Sequence, residues 1–281
     1  MYLSGSVGYT LLKYNNKDYE KNIFILADIH DGVSYCKQDS IMIDKWLTSK
    51  DRNDILLEEA IREEVSLTDL WPGSEHTQRL KTLNKINKKI KPIDIRPLLI
   101  PFSWELFENN DNSNKQSSIT LDEYLIFIDN VLNLKSSKLM IKYIVPEIKK
   151  LYKDGNETIN KKLIIHFEEI RKLYFEYREK NKEFLKKTIS EIYKIDLSIL
   201  EEINNITSMI MEWYILLLIF NSKTSSIIHM GLAHSNRIID FLIEVYLFEI
   251  IKKSGINMMS EINNNPHACL LVPTEINSKF I

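Results

Sequence analysis

Asn22-Ile-Phe-Ile-Leu-Ala-Asp-Ile-His-Asp-Gly32 is the stretch on which the reading of this chain turns, an almost wholly apolar run that halts in charge. Apolar residues without polar alternation mark a strand covered on both faces, as in a parallel sheet. Before it stands a second run, Gly8-Tyr-Thr-Leu-Leu-Lys-Tyr14, set off by the polar Asn15-Asn-Lys-Asp18. The two predict a β-hairpin. After it, a helix is expected from about Lys37 to Thr48, with Ile41, Trp46 and Leu47 on its buried side, and then a short strand ending in charge, Asp54-Ile-Leu-Leu-Glu-Glu59. Strand, helix and strand at this spacing suit a parallel crossover.

The pattern recurs along the chain. A polar helical segment from about Thr77 to Lys89 leads into Ile90-Lys-Pro-Ile-Asp-Ile-Arg-Pro97, a third strand with Asp94 and Arg96 at its tip. Asn109 to Ser118 reads as a solvated loop, and Thr120-Leu-Asp-Glu123 as a capping box that starts a helix. From there to about Phe220 only helical periodicity is found, including a long amphipathic stretch from about Thr158 to Lys187. Ser225-Ser-Ile-Ile-His-Met-Gly231 returns to strand character, and the following helix carries Ile238, Ile239, Phe241 and Leu242. Gly255-Ile-Asn-Met-Met259 is expected as a last parallel strand, and Cys269-Leu-Leu-Val272 as an edge. The fold class is therefore α/β: a mainly parallel sheet with an amino-terminal hairpin, flanking helices and a large helical insertion. We read residues 1–281 as a single domain, with the insertion at about 119–221.

Composition narrows the function. Lysine and arginine (37) nearly balance aspartate and glutamate (39), and no basic stripe with interleaved aromatics is present, so nucleic acid is not expected as a partner. Cys36 and Cys269 are the only cysteines, which leaves one bridge optional and fits a reducing compartment. The amino terminus lacks the basic start and apolar block of a secretory signal. Met209 to Phe220, the most apolar stretch, is interrupted by Glu212 and runs about a dozen residues where a membrane helix needs roughly 20, so it reads as a buried helix. A cytoplasmic protein with no membrane partner is the expectation. The abundance of isoleucine, asparagine and lysine suggests an AT-rich genome, which permits a virion or host-interaction component of a large DNA virus.

In an open parallel sheet, ligands bind beyond the carboxyl ends of the strands. Here those ends carry Asp28 and His30, Glu58 and Glu59, Asp94 and Arg96, and His234. Two imidazoles and a carboxylate can hold a divalent metal or divide general-acid and general-base work near neutral pH. We therefore take His30, Glu58, Glu59 and His234 as catalytic candidates, with His30, Glu59 and His234 as metal ligands. Asp28, Arg96 and His76 are candidates for binding a small-molecule or peptide substrate. His229, inside an apolar strand, reads as a core histidine, and His166 as part of a solvated helix face. His267 and Cys269 are too isolated to indicate a zinc site. Phosphate-binding glycine loops, the Gly-x-Ser-x-Gly elbow and His-Glu-x-x-His are all absent from the sequence, which disfavours nucleotide binding, a serine hydrolase and a zincin.

Three short motifs in this order resemble those of the TraB/TIKI proteins and their erythromycin-esterase and haem-uptake relatives. Ala27-Asp-Ile-His30 is similar to the first Gly-x-x-His, with alanine in place of glycine; Leu57-Glu-Glu59 is similar to the acidic strand end; Gly231-Leu-Ala-His234 matches the second Gly-x-x-His. The family tends to carry an arginine in the helical region before the last strand, and Thr207-Ser-Met-Ile-Met-Glu-Trp213 offers none. That departure bears on catalysis more than on fold, and Arg62 or Arg96 is the candidate to stand in its place. The resemblance implies a metal-dependent peptidase-like or esterase-like hydrolase, with His30 and His234 as ligands or bases and Glu58 or Glu59 as ligand or water activator. The alternative is a catalytically silent relative that binds a ligand such as haem or serves as an interaction protein.

Overall fold

A computed structural model describes residues 1–16, 19–30, 32–50, 53–62, 75–104, 118–137, 140–262 and 264–279. The loop read at Asn109 to Ser118 falls almost wholly outside these. In chain order come β1 (Tyr2–Ser4), β2 (Gly8–Asn16), β3 (Tyr19–Asp28), β4 (Ser34–Tyr35), β5 (Ile41–Met42), α1 (Ile43–Thr48), β6 (Asp54–Leu57), α2 (Glu75–Leu80), α3 (Leu83–Ile86) and β7 (Ile90–Pro92). Next are α4 (Leu121–Tyr124), α5 (Ile126–Leu132), α6 (Val145–Asp154), α7 (Glu157–Lys180), α8 (Ile189–Ile195) and α9 (Leu197–Asn221). The chain ends with β8 (Ser226–Gly231), α10 (Leu232–Glu244), β9 (Glu249–Gly255), β10 (His267–Leu271) and α11 (Thr274–Lys279).

The described residues gather into two units, one drawn from Met1–Glu64, Trp71–Asp94 and Ser222–Ile281, the other from Ile95–Asn221. The first unit holds both sheets. Its six-stranded sheet has the order β7-β6-β8-β3-β2-β9. β2 and β3 form the expected hairpin, in register from Gly8 opposite Ala27 to Asn16 opposite Tyr19. β3, β8, β6 and β7 run parallel. The fold is thus mixed α/β and largely parallel, as the apolar runs implied.

One face of this sheet is a continuous core. Phe24 and Leu26 of β3, Ile227 of β8, and Ile55 and Leu57 of β6 are buried with Trp46, Leu47 and Leu80 from the covering helices. The Phe24 ring lies 5.3 Å from Tyr9 and 5.9 Å from Trp46. Burying each of these large side chains contributes roughly 1.5–3 kcal/mol, enough to hold the strands that carry the polar tips.

A second, four-stranded sheet has the order β4-β10-β1-β5. It accounts for several departures from the sequence reading. The helix expected from Lys37 starts only at Ile43, because Ile41 and Met42 pair in parallel with Leu3 and Ser4. Ile41 is consequently exposed, and Ile43 takes the buried place with Trp46 and Leu47. β10, expected as an edge, lies between β4 and β1. The strand expected to begin at Gly255 ends there: β9 pairs antiparallel with β2 along Glu249–Gly255. Local propensity cannot foresee such pairings, because long-range partners set them. Cys36 and Cys269 form a disulfide, with Cα atoms 4.9 Å apart, across a sequence separation of 233.

In the second unit, α4 and α8 begin with capping boxes, Thr120 with Glu123 and Thr188 with Glu191. α7, expected from Thr158, is capped by the Asn156 side chain and packs against α9 through Phe167 and Trp213, whose rings are 4.6 Å apart. α9 is longer than the stretch Met209 to Phe220, long and apolar enough by composition to cross a membrane. Yet 83% of its most apolar window is buried inside the protein.

Candidate metal centre

Register explains which polar side chains meet. His229 of β8 stands opposite Leu26 of β3 and Leu57 of β6, and Gly231 stands opposite Asp28. Registered neighbours in a sheet point to one face, and residues two apart on a strand share that face. His229, Asp28 and Glu59 therefore continue the rows begun by Ile227, Phe24 and Leu26, and Ile55 and Leu57. The apolar face turns polar at its carboxyl end, and that is where the three converge.

One ligand atom from each of Asp28, Glu59 and His229 lies within 4.8 Å of the other two, and all three residues are buried. Glu59 Oε1 is 3.0 Å from His229 Nδ1. His229 Nε2 is 3.3 Å from the Gly5 carbonyl, which can only accept a hydrogen bond, so that nitrogen carries a ring hydrogen. Without an ion, Nδ1 is protonated as well and donates to Glu59; a metal ion at Nδ1 would take the place of that proton. Burial alone pushes the His229 pKa down, but the Glu59 charge and its hydrogen bond outweigh it and raise the value to about 9. Glu59 Oε2 is buried and has no hydrogen-bond partner among the described residues.

Around this trio stand three more histidines. His30, just past β3, places Nδ1 3.0 Å from Asp28 Oδ2 and 4.0 Å from Glu59 Oε1. Its side chain is 43% exposed, against 10% or less for His76, His229 and His234. Burial lowers its pKa, but the Asp28 hydrogen bond and the charges of Glu58 and Glu59 raise it to about 10. His76 of α2 reaches Asp28 Oδ1 at 2.7 Å and Tyr35 OH at 3.0 Å. Burial pushes the Asp28 carboxyl up, yet the hydrogen bonds from His30 and His76 prevail and hold it well below the usual range.

Glu58 points elsewhere. Its Oε2 accepts from the Gly231 amide at 2.7 Å, and its Oε1 is 3.6 Å from His234 Nε2. His234, in the first turn of α10, accepts at Nδ1 from Arg237, 3.1 Å away, since a guanidinium only donates. Gly231 is where close approach matters: a Cβ there would lie 3.0 Å from His30 Nε2 and 3.5 Å from Glu58 Oε2.

The structure thus brings Asp28, His30, Glu58, Glu59, His76 and His234 of the sequence reading to one end of one sheet. Arg96 belongs to the second unit, on a 3-10 turn of Arg96–Leu98. Arg62 is bound to the backbone carbonyls of Pro92 and Asp94. His229, read as a core histidine, is buried as expected but faces Glu59; strand alternation with Gly231 was the signal that could have found it. Arg237 was missed as well, although its spacing of three from His234 on one helix places the two side by side. Asp28, Glu59 and His229 form a group able to hold a metal ion. In comparison with known proteins, the chain matches no family model, no curated protein and no solved structure.

Proposed function

We propose that this cluster is the centre of a metal-dependent hydrolase, peptidase-like or esterase-like, with a divalent ion held by Asp28, Glu59 and His229. The observation that carries the reading is the Glu59 carboxylate, buried, with one oxygen 3.0 Å from His229 Nδ1 and the other lacking any hydrogen-bond partner among the described residues. A buried carboxylate oxygen left unsatisfied is costly unless something occupies the space beside it. The donor set of two carboxylates and an imidazole suits a divalent ion. Bonds of about 2.3–2.6 Å span the present separations, and a smaller ion with bonds of about 2.0–2.2 Å would draw the side chains inward.

A divalent ion in such a site lowers the pKa of a coordinated water and polarises a carbonyl, the chemistry that hydrolysis needs near neutral pH. The protein's own residues then divide the work. Gly5 O orients the His229 ring, in the manner of an outer-sphere carbonyl behind a metal-binding histidine. His30, partly exposed and hydrogen-bonded to Asp28, is placed to give a proton to a leaving group. Glu58 orders the start of α10, so that His234 and Arg237 line the same end of the sheet. The metal ligands expected from the sequence were His30, Glu59 and His234; in this reading Glu59 is kept, Asp28 and His229 take the place of the two histidines, His30 lies on Asp28 and His234 on Glu58.

A second reading is a catalytically silent protein of this fold, in which a proton on His229 balances Glu59 permanently. The test is metal titration with elemental analysis on the purified chain, alongside Glu59→Gln, His229→Ala, His30→Ala and His234→Ala, with circular dichroism to check folding. Stoichiometric binding lost in Glu59→Gln and His229→Ala supports the metal centre and justifies screening peptides, esters and lactones. A wild-type chain that binds no divalent ion leaves the silent reading in place.

A further inference from the structure

Asp28 is held from behind by a chain of contacts that leads to the disulfide. His76 Nε2 meets Asp28 Oδ1 at 2.7 Å, and a carboxylate there accepts, so the ring hydrogen sits on Nε2. In the neutral imidazole Nδ1 then accepts, and Tyr35 OH, 3.0 Å away, donates to it. The two rings meet edge to face, 5.7 Å apart. Tyr35 thereby sets the tautomer and the angle at which His76 presents its hydrogen to Asp28.

Tyr35 and its neighbour Val33 pack against the buried Val7, Ala27, Leu232 and Ala268, but the strand that carries Tyr35 is short. β4 contains only Ser34 and Tyr35, paired in parallel with His267 and Ala268 of β10. The Ser34 amide donates to Pro266 O at 3.0 Å, and the Ser34 hydroxyl meets His267 Nδ1 at 2.6 Å. The next residue, Cys36, is bonded covalently to Cys269 of β10. Both cysteines are only partly buried. A covalent link beside a two-residue strand removes most of the freedom that strand would otherwise keep.

We infer that Tyr35 and His76 are positioning residues for Asp28, and that the Cys36–Cys269 bond is a redox-sensitive clamp that keeps them in place behind the proposed metal centre. A dithiol reductant would supply two electrons and two protons, leaving thiols at Cys36 and Cys269 and its own sulfurs joined as a disulfide. β4 would then be held by its few hydrogen bonds and by the packing of Tyr35 against the buried Val7, Ala27, Leu232 and Ala268. The consequence for a bound ion rests on the metal reading; the consequence for the His76 ring does not.

The test follows the His76 Nε2–H proton by NMR in the full-length, nitrogen-15-labelled, ion-free protein, before and after reduction by a dithiol, and in Tyr35→Phe and Cys36→Ser/Cys269→Ser variants. A ring proton bound to a buried carboxylate exchanges slowly and resonates far downfield. Reduction, either variant, or both are expected to speed its exchange or erase its signal while circular dichroism stays unchanged. A signal that survives reduction and both variants unaltered overturns the clamp. Zinc or manganese affinity, read by chelator competition, is expected to weaken about 10–100-fold in the same samples, the usual cost of disturbing residues behind a metal ligand. If the His76 signal responds and no ion binds the oxidised wild type, the clamp stands and the metal reading falls. If an ion binds and the signal never changes, the reverse holds.

Discussion

His229 Nδ1 and Glu59 Oε1 face each other at 3.0 Å from neighbouring parallel strands, and their closeness follows from the pairing of Leu57 with His229 two residues before Glu59. Both side chains are buried, so whatever cation lies between them is shielded from water and strongly held. Glu59→Gln keeps the volume and removes the charge. Divalent-ion affinity is expected to fall at least about 100-fold, beyond the outer-sphere cost, and ion-free stability by about 1–3 kcal/mol as His229 loses its partner. Chelator competition and urea denaturation measure the two.

Gly231→Ala places a methyl group against His30 Nε2. His30 is partly exposed and can yield, so stability is expected to change by less than about 1.5 kcal/mol. The imidazole, pushed away from Asp28 and the two glutamates, is expected to titrate below its present value of about 10. NMR titration of the His30 ring reads the shift, and an unchanged value would argue against the close approach.

His166 on α7, expected on a solvated helix face, is buried instead, and it gives the second unit a pH dependence of its own. Burial pushes its pKa down to about 4 from the ordinary 6.5. A depressed histidine is neutral in the folded state while the unfolded chain still binds a proton, so stability is full above pH 6.5 and lost as pH falls toward 4. The loss approaches about 3 kcal/mol. Urea midpoints between pH 4 and 7 are expected to fall with pH in the wild type and more gently in His166→Leu.

Thr188 caps α8 with its side chain on the Glu191 amide, and Glu191 returns the bond to the Thr188 amide at 2.7 Å. Thr188→Ala removes one half of this box. A loss of about 1 kcal/mol is expected in thermal or urea unfolding.

β3, β6, β8 and the hairpin were legible because burial on both faces leaves a nearly uninterrupted apolar run, and β3 and β6 end where charge begins; β1, β4 and β5 were not read, and β9 lies before Gly255 rather than after it. The short helices were not. α1 is curtailed by Ile41 and Met42 pairing with β1, and the segment from Thr77 to Lys89 divides into α2 and α3. The Thr120 capping box, by contrast, is a four-residue device complete within its own sequence, and it stands as read.

From the sequence alone came the order of the elements and the set of ionisable tips, since hydrophobic periodicity and strand-ending charge are local properties. Which tips touch was decided only by tertiary structure. Glu58 and Glu59 are adjacent in the chain, yet one binds the Gly231 amide and the other faces His229. A one-residue change of register exchanges the two faces of a strand, and register is a relation between strands that lie 170 residues apart. The pairing of Cys36 with Cys269 has the same origin, for it needed β4 and β10 to be brought side by side before two distant thiols could meet.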